Sequence, residues 1–197
     1  MPHVDSQPGR AFQTLMVISM TVGRGAAARE VASIAGISAS DRLVDIGCGP
    51  GTAVREAARR GATATGIDPV PAMLKIARWI SARRHAERVT WLDGRAEALP
   101  VPDGTATVVW ALSSLHHWSD QAAGLGEARR VLAPGGLLLI AERLTQHGGR
   151  GHAAHGLTRA QAGQLAETMT AAGFADVRTQ DTRAGRRHLI IVEATLA

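Results

Sequence analysis

The chain has 197 residues, of which 45% are hydrophobic and 20% charged, and this balance predicts a single domain with a buried core. Its only cysteine, Cys48, excludes an internal disulfide and a cysteine-rich metal site, and we expect a reducing, cytoplasmic compartment. The net charge of +5 invites a nucleic-acid interpretation, but 21 of the 22 basic residues are arginines spread along the chain. With Asn and Tyr absent, this composition is typical of a bacterial genome of high GC content.

The first part of the chain, residues 1–39, is predicted to be helical. Apolar residues at helical spacing between Phe12 and Met20 predict one amphipathic helix, and Ala26–Ala35 predicts a second. Polar residues interrupt the apolar run from Ala11 to Val22, which is also too short to span a membrane. We therefore expect no membrane association.

From residue 40 onwards, predicted strands and helices alternate along the chain. The strands are Arg42–Ile46, Ala62–Ile67, Arg88–Leu92, Thr105–Leu112 and Leu137–Arg143, and the helices are Thr52–Arg60, Pro71–Arg84, Gln121–Leu132 and Thr158–Ala172. Two more strands, Asp176–Thr182 and Arg187–Ala194, are separated by too few residues for a crossover helix, so they pair antiparallel. The predicted fold class is α/β: a doubly wound, mostly parallel, seven-stranded sheet with an antiparallel C-terminal hairpin edge and helices on both faces.

A glycine-rich bend follows the first strand, at Gly47–Gly51 (GCGPG). Alternate glycines let the backbone turn sharply and approach a ligand closely. Asp68 ends the second strand, where a carboxylate can accept hydrogen bonds from both hydroxyls of a ribose. The bend and the acid together predict a nucleoside site at the carboxyl edge of the sheet.

The spacing within the bend bears on which nucleoside binds. The dinucleotide fingerprint places Gly or Ala in the slot that Thr52 occupies, which disfavours a nicotinamide-linked reductase. The chain instead has the pattern D-x-G-x-G-x-G, in which Asp45 stands at the end of the strand. Asp45 can neutralise or orient an ammonium or sulfonium, so the pattern favours a nucleoside that carries a cationic amino acid.

These segments resemble the class I S-adenosylmethionine-dependent methyltransferases, in particular the small-molecule enzymes of the methyltransferase type 11 group. The resemblance covers about residues 40–194 and depends on five segments in one order: VDIGCGPGT, GIDP, GRAEALPVPDG, LSSLHHWSD and EARRVLAPGG. It implies a Rossmann-like methyltransferase domain over residues 40–197, with the helices of residues 1–39 covering the cofactor and substrate cleft. It also implies S-adenosylmethionine as cofactor and S-adenosylhomocysteine as product.

The resemblance also implies roles for single residues. The methionine moiety is held by Gly47, Cys48, Gly49 and Gly51, the ribose by Asp68, and the adenine lies between Pro69, Val70, Ala96 and Glu97, with Leu112 beside the sulfonium. Two positions depart from the family, which often has Asp where this chain has Arg95 and Thr107. Arginine offers no acceptor for the adenine amino group, so Glu97, Asp93 or a backbone carbonyl must replace it. We interpret Thr107 as structural.

The loop after the fourth strand supplies His116 and His117 as candidate general bases, needed only if the acceptor loses a proton. Adjacent residues cannot both face one site, and in the family the slot of His117 is more often histidine, sometimes only bracing the loop. The three histidines of the glycine-rich stretch Gln146–Gly156 fit no metal-ligand spacing, and we interpret the stretch as a lid rather than a metal site.

The acceptor itself is predicted only by class. Without Asn and Tyr the chain lacks the signature of base-amino methyltransferases, so nucleic acid is disfavoured and a small molecule is expected, methylated on O, N or C. A degenerate S-adenosylmethionine- or nucleoside-binding protein without transfer activity and an RNA-modifying methyltransferase stay open as alternatives. A homodimer is also left open.

Overall fold

The computed structural model describes residues 24–82, 86–146 and 156–197. The predicted helix over residues 11–22 and most of the predicted lid lie outside the described residues. The helices are α1 (Arg24–Ile34), α2 (Thr52–Arg59), α3 (Pro71–Ser81), α4 (Gln121–Val131) and α5 (Arg159–Ala171). The strands are β1 (Arg42–Ile46), β2 (Thr63–Asp68), β3 (Val89–Asp93), β4 (Ala106–Leu112), β5 (Leu132–Arg143), β6 (Phe174–Ala184) and β7 (Arg187–Leu196).

The seven strands form one sheet in the order β3-β2-β1-β4-β5-β7-β6. Strands β1 to β5 pair parallel, whereas β7 pairs antiparallel with both β5 and β6. Ala184 pairs with Arg187, so a two-residue turn joins β6 to β7 and no crossover helix can intervene. The predicted fold class is confirmed, with the hairpin docked through β7 so that β6 forms the edge.

The sheet is buried on both faces because its central strands are apolar at nearly every position. Five of the seven residues of β4, including Trp110, are fully buried. One apolar cluster packs α4 and α5 against one face, and a second packs α1, α2 and α3 against the other. This two-sided core holds the carboxyl ends of β1, β2 and β4 in fixed positions.

Strand β5 begins at Leu132, five residues before the predicted start. Leu132 pairs with Ala106 and Leu137 pairs with Val108, so the four residues between them form an irregular excursion opposite one residue of β4. Gly135 in this excursion has a φ of 74°. The predicted start at Leu137 leaves Pro134-Gly135-Gly136 outside β5, whereas the pairing on either side of this sequence makes it a bulge within the strand.

Helix α1 is fixed to the domain by polar contacts as well as by its buried alanines and Val31. Arg60 after α2 donates to the backbone oxygens of Arg29 and Ala32, at 3.0 and 3.1 Å. Thr182 of β6 donates to Glu30 at 2.6 Å. These contacts place Arg24, the first residue of α1, beside the carboxyl ends of the strands. The division at residue 39 stays a prediction.

Candidate cofactor cleft and adjoining cavities

The strand order reverses between β1 and β4, and a cleft of about 350 Å³ opens there at the carboxyl ends of the strands. Its volume falls within the range of small-molecule sites, ~300–1,000 Å³. Of the fourteen residues predicted for the site, nine line this cleft: Gly47, Gly49, Asp68, Pro69, Val70, Arg95, Ala96, Glu97 and His117. Most of the residues that the sequence motifs predict for the site therefore lie together around one cleft.

Gly47 turns the chain out of β1 where no other residue fits. Its φ is 73°, and a Cβ at this position would lie 2.5 Å from the Cβ of Ser114. Ser114 is held there because its hydroxyl donates to the backbone oxygen of Ile46 at 2.6 Å. The backbone N–H groups of Gly47 and Cys48 both donate to Ile67, which ties the bend to the end of β2. The result is a bare backbone surface facing the cleft.

Asp68 braces the other side of the bend. One carboxylate oxygen accepts from the backbone N–H of Gly49 at 2.8 Å, and the other accepts from that of Val70 at 2.9 Å. Each oxygen of an ionised carboxylate has a second lone pair, so both can accept a further hydrogen bond from a ligand in the cleft. The residue is 7% exposed, so its orientation is set by these contacts.

Asp45 is a buried carboxylate with unused hydrogen-bonding capacity. It is 2% exposed, and its Oδ1 accepts no hydrogen bond from the described residues. Burial raises the pKa of Asp45, Trp110 lowers it in part, the nearby Asp68 raises it and Arg24 lowers it, and the pKa that results is about 7. The indole N–H of Trp110 makes no hydrogen bond of ordinary geometry within the described structure. An orphaned acceptor beside a glycine bend fits a ligand that brings its own donor or positive charge.

Four of the predicted cofactor-binding residues lie outside the main cleft. Asp45, Cys48 and Leu112 line a smaller adjoining cavity of about 40 Å³, together with Arg24 and Ser113. Burial raises the pKa of the Cys48 thiol, which agrees with a packing role rather than a reactive one.

Gly51 is the fourth of these residues and supports the bend from behind. A side chain there would collide with the ring of the buried Trp91, and the φ of 76° disfavours any other residue. Gly51 therefore lets the bend pack on β3, and its predicted contact with the cofactor stays a prediction.

The adenine side of the predicted site is built differently from the family pattern. Glu97 uses one oxygen to accept the backbone N–H groups of Ser119 and Asp120, at 2.6 and 3.0 Å. Arg95 donates to the hydroxyl of Ser119 at 2.6 Å, so both side chains hold the loop before α4. Asp93 is exposed and does not line the cleft. Of the proposed substitutes for the acidic contact, Glu97 and the backbone therefore remain.

The two histidines face different cavities, as their adjacency predicts. His117 lines the cofactor cleft, whereas His116 lines a second cavity of about 570 Å³ at the ends of β5 and β7. The Nδ1 of His116 lies 3.4 Å from Oε1 and 3.3 Å from Oε2 of Glu142, which is 1% exposed. An ionised carboxylate can only accept, so this contact favours the tautomer with the proton on Nδ1 and leaves Nε2 as the basic nitrogen.

Sequence reasoning missed two residues of the site, Arg24 and Glu142, whereas Ser113 lies in the loop after the fourth strand that supplies the candidate bases. Arg24 and Ser113 line the cleft, the second cavity and the small cavity between them. Arg24 precedes the glycine motif by more than twenty residues and carries no motif of its own. Glu142 had a detectable signal, because it is an acid inside an otherwise apolar strand. Ser113 has a φ of 55°, an uncommon backbone conformation for a non-glycine residue that often marks functional loops.

The described residues contain no cluster of three or more His, Cys, Asp or Glu side chains that could hold a metal ion. No helix among them is long and apolar enough to cross a membrane.

Solved structures share this fold over most of the chain. A SAM-dependent methyltransferase from Aquifex aeolicus aligns over 86% of this chain and 89% of its own, with a TM-score of 0.72 and 18% identity. The [4+2]-cyclase SpnF aligns over 87% and 81%, with a TM-score of 0.73 and 24% identity. At these identities the likeness shows the fold alone, and a cyclase among these structures means that the fold does not fix the reaction. The fold is that of the class I S-adenosylmethionine-dependent methyltransferases.

The sequence comparisons narrow this class. Residues 44–140 match the methyltransferase domain family Methyltransf_11, and the resemblance to the S-adenosylmethionine-dependent methyltransferases that the motifs predict is confirmed. A demethylmenaquinone methyltransferase of Tropheryma whipplei is 35% identical over 114 residues, or 58% of this chain and 46% of that protein. The 27-O-demethylrifamycin SV methyltransferase of Amycolatopsis mediterranei is 39% identical over 110 residues, or 55% and 40%. The chain thus matches about half the length of these curated relatives or less.

Proposed function

We propose that this chain binds S-adenosylmethionine in the cleft between β1, β2 and β4 and transfers its methyl group to a small-molecule acceptor. The single observation that carries the proposal is the pairing of a bare glycine bend with two buried carboxylates, Asp45 and Asp68, at one edge of the sheet. A plain turn between a strand and a helix needs neither acid.

Each part of the cofactor has residues of fitting chemistry. Asp68 offers two acceptor oxygens to the ribose hydroxyls, and Pro69 and Val70 provide apolar surface for the adenine. The unsatisfied oxygen of Asp45 suits the ammonium of the methionine part. Arg24 supplies a guanidinium beside the bend, suited to the carboxylate of the same part.

When bound, the cofactor supplies a sulfonium methyl group that a nucleophile displaces in line, the electron pair of the broken bond remaining on sulfur. The chain mainly has to align the acceptor, which can be worth effective molarities of ~10⁵ M or more. Where the acceptor is a hydroxyl or an amine, His116 is the proposed base, because Glu142 fixes its Nδ1 and the proton passes to Nε2. His117, on the cofactor side, is assigned to the cleft wall.

The relatives support a small-molecule acceptor. The enzymes compared above are named for demethylmenaquinone and for demethylrifamycin SV, which are small organic molecules. They differ from each other as acceptors, and each covers the chain only in part. The acceptor of this chain therefore has to be argued from its own cavities.

Calorimetric titration with S-adenosylhomocysteine tests the cofactor assignment. We expect saturable binding at one site, and its loss in Asp68→Ala. Asp93→Asn is the matched control, because Asp93 pairs in register with Asp68 on the neighbouring strand but is exposed and outside the cleft. Binding that survives in Asp68→Ala, or that Asp93→Asn removes equally, contradicts the assignment.

One observation favours the alternative of cofactor binding without transfer. Arg95 replaces the usual acid, and Glu97 is already committed to two backbone amides. Radiolabelled methyl transfer to a broad acceptor panel distinguishes a methyltransferase from a protein that only binds the cofactor. If methyl transfer is observed, His116→Gln is expected to lower its rate while leaving the affinity for S-adenosylhomocysteine unchanged. Tight binding with no transfer to any acceptor would favour the alternative.

A further inference from the structure

The second cavity, at the ends of β5 and β7, has an unusual charge composition. Among the described residues that line it, four are arginines, Arg24, Arg143, Arg186 and Arg187, and Glu142 is the one carboxylate. The remaining lining is almost entirely polar, with Leu144 as the one aliphatic residue among those described. Four guanidinium groups around a space of about 570 Å³ create a strongly positive local potential.

Two of these arginines are close enough to repel one another. The pKa of Arg24 is lowered by burial and next by the nearby Arg187 guanidinium, while Asp45 and Glu142 raise it only in part. The fold keeps the arginines in place through the C-terminal hairpin, where the backbone N–H of Leu144 donates to His188 at 3.0 Å.

The cavity adjoins the cofactor cleft. Arg24 and Ser113 line both, so a molecule in the second cavity lies next to the methyl-donor side of the proposed cofactor site. His116, with Glu142 behind it, lines the same cavity. The cavity therefore brings together a proposed base, a route to the cofactor and a set of cations.

We propose that this cavity is the acceptor subsite and that it selects a small molecule carrying a carboxylate or phosphate group. The inference depends on the proposed function, and it adds the chemical class of the acceptor. Arg186, in the two-residue turn, and Arg187, at the start of β7, are the proposed anchors for the anionic group, because guanidinium forks match carboxylate and phosphate oxygens.

A small acceptor fits this arrangement better than RNA. A nucleic acid needs cations that follow several successive phosphates along a surface, whereas these arginines line one cavity.

The test measures anion binding to the full chain saturated with S-adenosylhomocysteine. Benzoate and inorganic phosphate are the anionic probes, benzamide is the neutral probe of the same shape as benzoate, and a short single-stranded RNA tests the other class. We expect benzoate and phosphate to bind, and benzamide to bind about tenfold more weakly than benzoate because it lacks the charge. Arg186→Ala and Arg187→Gln should each weaken both anions by about tenfold.

Arg183→Ala is the matched control, since it removes the same charge from an exposed position of the same hairpin outside the cavity. It should leave anion binding unchanged, and thermal melting confirms that each variant is folded. Equal binding of benzoate and benzamide, no binding of either anion, or equal loss in Arg183→Ala overturns the proposal. RNA binding that depends on Arg186 in the absence of benzoate binding overturns it in favour of nucleic acid. Failure to bind S-adenosylhomocysteine counts instead against the proposed function.

Discussion

Replacing Asp45 by Asn should change how the stability of the ligand-free protein depends on pH. Burial raises the pKa of Asp45 from 3.8 to about 7, so the folded chain holds a proton that the unfolded chain has released. Stability is therefore lost as the pH rises from about 4 to 7, and the loss is complete above the folded-state value. A shift of about three units corresponds to about 4 kcal/mol at most. Asn does not titrate, so this part of the pH dependence disappears.

The assay is urea unfolding of the ligand-free chain and of Asp45→Asn at several pH values between 4 and 8. The free energy of unfolding of the variant, relative to the parent, should rise across this range and level off above pH 7. The slope rather than the absolute difference is diagnostic, because an Asn side chain also has polar atoms to satisfy. The exposed Asp93→Asn is the control for replacing a carboxylate by an amide. A difference for Asp45→Asn that does not vary with pH would refute the assigned burial and charge state.

The same group links protons to cofactor binding. A cationic ammonium near Asp45 stabilises the carboxylate, so binding of S-adenosylhomocysteine at pH 6 should release a proton, and affinity should rise towards pH 8. Calorimetry in two buffers of different ionisation enthalpy measures the released proton. In Asp45→Asn the release and the pH dependence should both vanish. If proton release and pH dependence persisted in Asp45→Asn, the titrating group would be a residue other than Asp45.

Two further predictions concern the backbone of the site. Gly51→Ala should destabilise the chain by about 1–3 kcal/mol, because the new methyl group meets the ring of Trp91 and the position has a positive φ. Chemical unfolding measures the loss of stability. An unchanged unfolding midpoint would contradict the close packing of Gly51 on Trp91. Ser113→Gly should stabilise the chain by up to about 1 kcal/mol, because relief of the strained φ of 55° exceeds the entropy that glycine adds to the unfolded chain. Ser113→Ala is the control, since alanine removes the hydroxyl but keeps the strain. Equal stability of the two variants would contradict the presence of backbone strain at Ser113.

Most of the fold could be predicted because its signals are local. The alternation of apolar strands and amphipathic helices defines a doubly wound sheet, and the short link before Arg187 forces the last two strands to be antiparallel. The predicted start of β5 at Leu137 was wrong, because the sequence Pro134-Gly135-Gly136 is as compatible with a bulge inside a strand as with a turn before one. Only the pairing of Leu132 with Ala106, across the sheet, decides between them.

The residues of the proposed cofactor cleft could also be predicted from the sequence, whereas those of the proposed acceptor cavity, apart from His116, could not. Gly47 and Asp68 belong to motifs whose spacing implies their position at the carboxyl edge of the sheet. Arg24, Glu142 and Arg187 come from three distant segments and meet only through the packing of α1 and the hairpin. For Gly51 the structure gives a physical reason that the motif does not, namely its close approach to Trp91.

A crystal structure of the chain with S-adenosylhomocysteine is the most direct test of the proposed cofactor site. We predict electron density in the cleft between β1, β2 and β4, with the ribose hydroxyls on Asp68 and the amino group within hydrogen-bond distance of Asp45. We further predict that the sulfur faces the cavity lined by His116. Density for the ligand at any other place on the chain, or an empty cleft at saturating concentration, would contradict the assignment of the site.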